Sequence, residues 1–472
     1  MFGIMGGSVR RGRFLDNRFV GDTMAPDMKS THVSRRQFLR HTAAASAAIA
    51  IPTIIPRHVL GADGQPGANE RVNIGFIGIG RQASGLLSGA LRSKTARIGA
   101  FADVNMGRAQ KNAAALGAQA YQDYRHLLDQ KDIDAVVTAT PEHWRILIVL
   151  HACQAGKDLY VEKPVSLTIK EGRWMVTAAR KYKRIIQVGS QQRSDPLDVA
   201  ACEFVRNGGL GKISKVVASN YPSPWEHNMP AEPVPEGLDW NMWCGPAPLV
   251  PFSNSLYVPR EVGKPGSPGW AAPGWLSFRP YSGGEVTGWG SHGYDMIQYA
   301  LGMDDSGPVE IWPVGKKFEA PTYEKPESKA RGDKITSEPL VYFKYANGVV
   351  VEPGNAPGFG CVVHGEKGWL RIDRGRLDSQ PEDIFEGLMK NRPKIPGHIE
   401  NWLQCIKTRK LPTADVEIGH RSATVCHLVN ICRWTGRKLH WDPVKEIFPD
   451  DPEANKYLDR ERRKGFEVPA VI

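Results

Sequence analysis

The sequence predicts an α/β protein: a doubly wound parallel sheet at the amino end, then a second α/β domain built on an open, mainly antiparallel sheet. Three observations predict it. An apolar run ending in glycines, "VNIGFIGIG" (72–80), opens directly into a helix-spaced segment. Strand and helix patterns then alternate with short loops as far as Arg193. Beyond that point strand patterns follow one another, one of them turning at an Asn-Gly pair in "KYANGV".

The first half gives its elements in order. "QASGLLSGALRS" (82–93) is a helix, "ARIGAFADVN" (96–105) the second strand, and Met106 to Leu116 a polar helix. "DAVVTATPEHW" (134–144) contains a buried strand, and "ILIVLHACQAG" (146–156) a helix closed by Gly156. "DLYVEKP" (158–164), the helix "KEGRWMVTAARKY" (170–182) and the strand "RIIQVGSQQR" (184–193) complete the domain, set at residues 71–193. Residues 194–472 form the second domain: strands in "KISKVVASNY", "EIWPVGKKFEA", "LVYFKYANGVVVE" and "GCVVHGEKGWLRID", then two carboxyl-terminal amphipathic helices packed back on it.

Gly78-Ile79-Gly80-Arg81-Gln82-Ala83 matches the G-x-G-x-x-G/A turn of a Rossmann nucleotide fold. Such a turn needs a tight bend at Gly78, backbone access to a pyrophosphate at Gly80, and a helix amino end facing the phosphates. Asp103 ends the second strand, where a carboxylate accepts both ribose hydroxyls and repels a 2′-phosphate. NAD is favoured, and Arg108 nearby keeps NADP open. Ligands of such sheets sit at the carboxyl strand ends. The candidate cofactor contacts are therefore Gly78, Gly80, Arg81, Gln82, Asp103, Thr140, Pro141, His143, Glu162 and Gln191. His143 lines or caps the cofactor site on this reading.

The strand "LYV" delivers Glu162, Lys163 and Pro164 at its carboxyl end. Lysine is rarely buried without a partner, so something must sit opposite it. The candidate substrate contacts are Asp295, Arg193 and Tyr221. The segment 222–281 is rich in tryptophan (Trp225, Trp240, Trp243, Trp270, Trp275), which suits either stacking on sugar rings or cementing long loops.

With these motifs in order, the chain resembles the Gfo/Idh/MocA family from about residue 70 to its end. The resemblance is carried by the glycine turn, "TPEHW", "EKP" and "SGGEVTGWGSHGYD" (282–295). It implies a Rossmann domain paired with a carboxyl-terminal α/β substrate domain, and a homo-oligomer built through the open sheet. It also implies that Lys163, before a cis peptide to Pro164, points at the substrate hydroxyl beside the nicotinamide, with His292 as its catalytic partner. The family pattern places an Asp four residues before this His; here that position is Gly288. Asp295 then orients His292 or caps the helix. "WCGPAP" and "LHWDP" look like exported twin-arginine members.

An export leader is expected at residues 1–61. "SRRQFLR" (34–40) precedes a short Ala-rich run from Thr42 to Ile55, followed by a linker at 62–70; a periplasmic or extracellular location follows, with no membrane anchor after processing. The chain's formal charge of +11 owes much to this leader: without its nine Lys/Arg and three Asp/Glu, 52 basic residues face 47 acidic ones. That leaves +5 with no basic stripe, which argues against nucleic acid. Seven scattered cysteines form no disulfide framework and no CxxC pair, so no metal is expected. Cys426, His427 and Cys432 read as packing residues.

Three functions compete at this level. The first is an NAD(P)-dependent oxidoreductase acting on a sugar, polyol or sugar derivative, its cofactor tightly held because free NAD is scarce outside the cytoplasm. The second is an NAD-dependent glycosidase working by oxidation, elimination and reduction. The third is a non-catalytic sugar-binding protein.

Overall fold

The computed structural model describes residues 67, 70–257, 274–324 and 335–470. The predicted leader, most of the linker and Trp270 lie outside the described residues.

The amino-terminal sheet contains β1 (Val72–Ile77), β2 (Ala96–Ala102), β3 (Gln119–Tyr121), β4 (Ala135–Thr138), β5 (Asp158–Val161) and β6 (Ile186–Val188). They pair in the order β3-β2-β1-β4-β5-β6, all parallel. Every residue of β1, β4 and β5 is buried, because helices cover both faces of the sheet. Helix α1 (Arg81–Arg92) follows the glycine turn, and α2 (Met106–Leu116) starts where Asn105 caps the Arg108 amide and ends at Gly117 in the left-handed region. The edge strand β3 was not expected. It is three residues long and only partly buried, so it carries no apolar run to reveal it. Helices α3 (Glu142–Gln154) and α4 (Ile169–Lys181) complete the crossovers that matter to the site.

The second sheet has eight strands and is mixed but mostly antiparallel. Its strands are β7 (Ile213–Ala218), β8 (Pro308–Val314), β9 (Leu340–Tyr345), β10 (Val350–Pro353), β11 (Cys361–Gly365), β12 (Gly368–Asp373), β13 (Arg376–Gln380) and β14 (Leu439–His440). Only the β7–β10 pair is parallel. Burial alternates along β9 and β12, as one buried face requires. That face packs on α5 (Pro196–Arg206), α6 (Gly290–Ala300) and α8 (Val416–Thr435).

The carboxyl-terminal helices do not both return to the second domain. Helix α7 (His398–Thr408) docks on the nucleotide domain, where Trp402, Leu403 and Cys405 share a core with Val72, Ile74 and Phe76. Polar ties hold it there: the Val188 amide donates to the Ala414 carbonyl at 2.8 Å, and Arg409 pairs with Asp158 at 2.6 Å. Farther on, Arg460 and Arg462 both reach the buried carboxylate of Glu171. Among the described residues no helix is long and apolar enough to cross a membrane.

Candidate active site

A cavity of about 640 Å³ opens where the carboxyl ends of β1, β2, β4 and β5 face the second domain. Gly78, Gly80, Arg81, Gln82, Asp103, Thr140, Pro141, Glu162 and Lys163, all predicted site residues, line it.

The glycine turn is shaped for a dinucleotide. Gly78 sits at φ +76, and a Cβ there would lie 2.6 Å from the Thr140 methyl, so only glycine fits. At Gly80 a Cβ would meet open space, leaving the backbone approachable from the cavity. No side chain caps the amino end of α1 and no acid stands in its first turn, so its N–H groups remain available to an anion. Asp103 accepts from the Ile79 amide at 2.8 Å and from the Asn105 amide at 2.9 Å, which fixes its carboxylate beside the turn. Arg108 pairs with Asp103 at 3.3 Å and donates to the Tyr257 hydroxyl at 2.8 Å. Tyr257 thus brings a segment of the second domain to the ribose end of the cavity. These residues fit NAD.

Glu162 gathers three of the predicted contacts: its Oε1 accepts from Gln82 at 2.9 Å and from Gln191 at 3.1 Å, and its Oε2 from the Lys163 amide at 3.2 Å. The Lys163–Pro164 peptide is cis. The Lys163 Nζ donates to the Gly288 carbonyl at 3.0 Å. Burial pushes the Lys163 ammonium below its usual range; Glu162 opposes that shift and Arg145 adds to it.

His292 lies behind Gly288, buried within α6. Burial first, then the charges of Lys163 and Arg374, hold its imidazole neutral. A Cβ at 288 would stand 3.2 Å from the Glu285 carboxylate and 3.4 Å from Leu276, contacts that a small shift of Glu285 relieves. With glycine at this position, a backbone carbonyl and not an acidic side chain meets the lysine.

Four predicted residues turn away from the cavity. His143 is fully buried, its Nε2 on the Trp243 carbonyl at 3.0 Å and its ring against Trp243 and Tyr281; burial lowers it to about 3. It neither caps nor lines the cofactor site. Asp295 neither orients His292 nor caps the helix: it forms a buried ion pair with Arg193 at 2.9 Å and accepts from Ser422. Arg193 also binds Asp304 and stacks over Tyr299, so both are structural. The Tyr221 hydroxyl donates to the Gly358 carbonyl at 3.1 Å, and its ring packs on Tyr294. Of the tryptophans, Trp240 and Trp243 stack at 4.5 Å within a buried cluster that includes Trp225, so they cement loops; Trp243 and Trp275 also edge the cavity. Among the described residues no three candidate metal ligands gather.

Sequence reading missed Arg145 and Arg374, and put Glu142 along the crevice without a role. Glu142 is buried and accepts from Ser282 at 2.6 Å, the Gly283 amide at 3.0 Å and Thr287 at 3.0 Å, joining the nucleotide domain to the segment that leads into His292. Arg145 donates to the Thr140 and Pro164 carbonyls, binding two cavity loops together. An acid and an arginine in an otherwise apolar helix, "EHWRILIVLHACQ", were the available signal.

Two models of one oxidoreductase family match in tandem: its NAD-binding Rossmann fold over residues 72–190 and its C-terminal alpha/beta domain over residues 211–468. The uncharacterized oxidoreductase YrbE of Bacillus subtilis is 30% identical over 331 residues, covering 69% of this chain and 80% of that protein. The scyllo-inositol 2-dehydrogenase (NAD(+)) of the same organism is 29% identical over 147 residues, covering 30% of this chain and 42% of the relative. The solved WlbA dehydrogenase of Bordetella pertussis, in complex with NADH and UDP-GlcNAcA, superposes with a TM-score of 0.54 at 17% identity, covering 79% of this chain and 99% of that one. This last likeness concerns the fold.

Proposed function

Since the chain belongs to the Gfo/Idh/MocA oxidoreductase family, we propose that it moves hydride between NAD and a carbinol carbon of a sugar, polyol or sugar derivative. The observation that carries this reading is Lys163, an amine held at the carboxyl end of β5, inside the cavity and against the first turn of the His292 segment. When bound, NAD supplies the hydride acceptor. The chain's own groups do the rest. The glycine turn and the amino end of α1 hold the pyrophosphate, and Asp103 the ribose. Lys163, anchored through one N–H on Gly288, keeps its other positions for the substrate hydroxyl, orienting it and lowering its pKa as the proton leaves. Neutral His292 is the base that takes the hydroxyl proton; burial and the Lys163 charge keep its imidazole unprotonated beforehand. The inositol dehydrogenase among the relatives supports a polyol-type substrate.

Export by the twin-arginine route, a tightly held cofactor and a homo-oligomer belong to the same proposal. The Arg108–Tyr257 contact supports slow cofactor exchange, because that hydrogen bond closes the ribose end. The stacked, partly exposed Trp312 and Tyr342 on the outer sheet face support the oligomer. Closure over the cofactor also favours a second reading, a glycosidase whose hydride leaves and returns within one cycle.

Native mass spectrometry of the purified protein, followed by sugar, polyol and nitrophenyl-glycoside panels, tests the reading. Co-purifying NAD and a change at the nicotinamide absorbance band are expected. Glycoside cleavage without net NADH favours the second reading, and a protein that neither holds NAD nor turns over any panel member overturns both.

A further inference from the structure

Arg374 occupies the turn between β12 and β13, where Gly375 at φ +66 lets the chain reverse. Its guanidinium lies over the Phe359 ring at 4.0 Å, and its Nη2 is 3.3 Å from both ring nitrogens of His292. One donor equidistant from both nitrogens stands above the imidazole face, not in the plane where a ring lone pair would hold it. The contact therefore leaves most of the exposed guanidinium fork without a protein partner among the described residues.

The other arginines of this region have carboxylate partners. Arg371 and Arg376, in the same hairpin, share Asp378 at 4.0 and 3.4 Å, and Arg193 is closed by Asp295 and Asp304. Among the described residues no carboxylate comes within ion-pair distance of Arg374. The acids around it are occupied: Glu162 by Gln82 and Gln191, Asp198 by Gln192, and Asp373 by the Arg374 amide. Two cations, Lys163 and Arg374, thus bear on one neutral imidazole. Carboxylates already offset both cations, Glu162 and Glu142 acting on Lys163, and Asp198, Glu162, Asp373 and Asp195 on Arg374, yet among the described residues none of them pairs with the guanidinium.

A platform adjoins this cation. Trp289, 36% exposed and lining the cavity, stacks on Phe359 at 4.6 Å and 25°. It follows Gly288, whose carbonyl anchors Lys163. The cavity wall runs from Lys163 through Gly288 to Trp289, and the stack continues beyond it through Phe359 to the exposed Arg374.

We propose that the substrate is a carboxylate-bearing sugar or polyol and that Arg374 binds its carboxylate while Lys163 addresses a hydroxyl on the same ring. This rests on reading the cleft as a carbinol-oxidising site. A planar five-donor fork suits a carboxylate better than an ammonium does, because it can bind both oxygens at once.

The test uses the full NAD-loaded protein, wild type and the variants Arg374→Gln and Arg374→Lys, each checked by thermal melting. D-glucuronate is compared with D-glucose, and D-galacturonate with D-galactose, by calorimetric binding and by nicotinamide absorbance. In the wild type at least one acid should bind about tenfold more tightly than its neutral partner, a difference of ~1.4 kcal/mol. Arg374→Gln should erase that difference while changing the neutral sugar's affinity by less than about twofold, and Arg374→Lys should keep part of it. The inference is overturned if no acid binds more tightly than its neutral partner, or if Arg374→Gln weakens both members of a pair alike. Acid binding through Arg374 with neither hydride transfer nor glycoside cleavage would uphold it and sink the catalytic reading. Turnover confined to neutral sugars would do the reverse.

Discussion

Lys163 reaches across the cleft from the end of β5 to the carbonyl oxygen of Gly288, 3.0 Å away and four positions before His292. Two domains meet in that hydrogen bond. Replacing Lys163 by Met keeps the stem and removes the donor and the charge. Turnover should fall by about 10² to 10⁴, the range for loss of a positioned proton-transfer group. NAD affinity, measured by fluorescence titration, should change by less than about threefold, since the turn and Asp103 remain.

Glu142 is the second junction between the domains. Glu142→Ala strands the Ser282 hydroxyl and the Gly283 amide in a buried site, each worth about 1–3 kcal/mol when left unpaired, while Thr287 falls back on the Gly284 carbonyl. The melting temperature should drop well below that of Glu142→Gln, which keeps an acceptor. An equal melting temperature for the two would show that the network carries no load.

Arg193 and Asp295 are best separated by a double-mutant cycle. Asp295→Ala leaves a buried guanidinium with only Asp304, and should cost about 3–5 kcal/mol in urea unfolding. Adding Arg193→Met should restore a large part of that loss, since the uncompensated charge goes with it. KM should be insensitive to the pair in whatever folded protein remains.

Asp198 makes stability depend on pH. Burial, with Asp195 adding to it, raises its carboxyl from 3.8 to about 7. The folded state keeps a proton that the unfolded chain releases at lower pH, so its contribution is full below the ordinary value and is lost as pH rises through about 7. Asp198→Asn removes that ionisation. Its melting temperature should exceed the wild type's near pH ~8, and the gap should close toward pH ~4.

Asp103 sets cofactor choice. Asp103→Ser removes the negative charge while Arg108 and Lys111 stay on the cavity wall. The NADP-to-NAD ratio of kcat/KM should rise by about tenfold or more, ~1.4 kcal/mol per decade.

What could be read from the sequence follows burial geometry. Strands β1, β4 and β5 are covered on both faces and so appear as unbroken apolar runs, which placed Gly78, Glu162 and Lys163 at carboxyl strand ends, with Asp103 after the buried end of β2. Strand β3 is short and half-wet, and nothing marks it. His143, Asp295, Arg193 and Tyr221 look functional by type, yet their roles are set by partners far along the chain; Arg193 and Asp295 stand 102 residues apart. Arg374 was hidden for the opposite reason. It is one of three arginines in a hairpin, and only the positions of Asp378, Phe359 and His292 tell it from the others.

Trp402 has a consequence for how the molecule is made. Its indole is fully buried in the nucleotide domain beside Val72 and Phe76, more than three hundred positions earlier in the chain. While the ribosome is still short of this tryptophan, the first-made half has an open socket that nothing yet synthesised can fill. A nascent chain stalled before it is a hazard for aggregation, and a fragment cut after β6 should need a detergent or a supplied peptide spanning α7 to stay in solution.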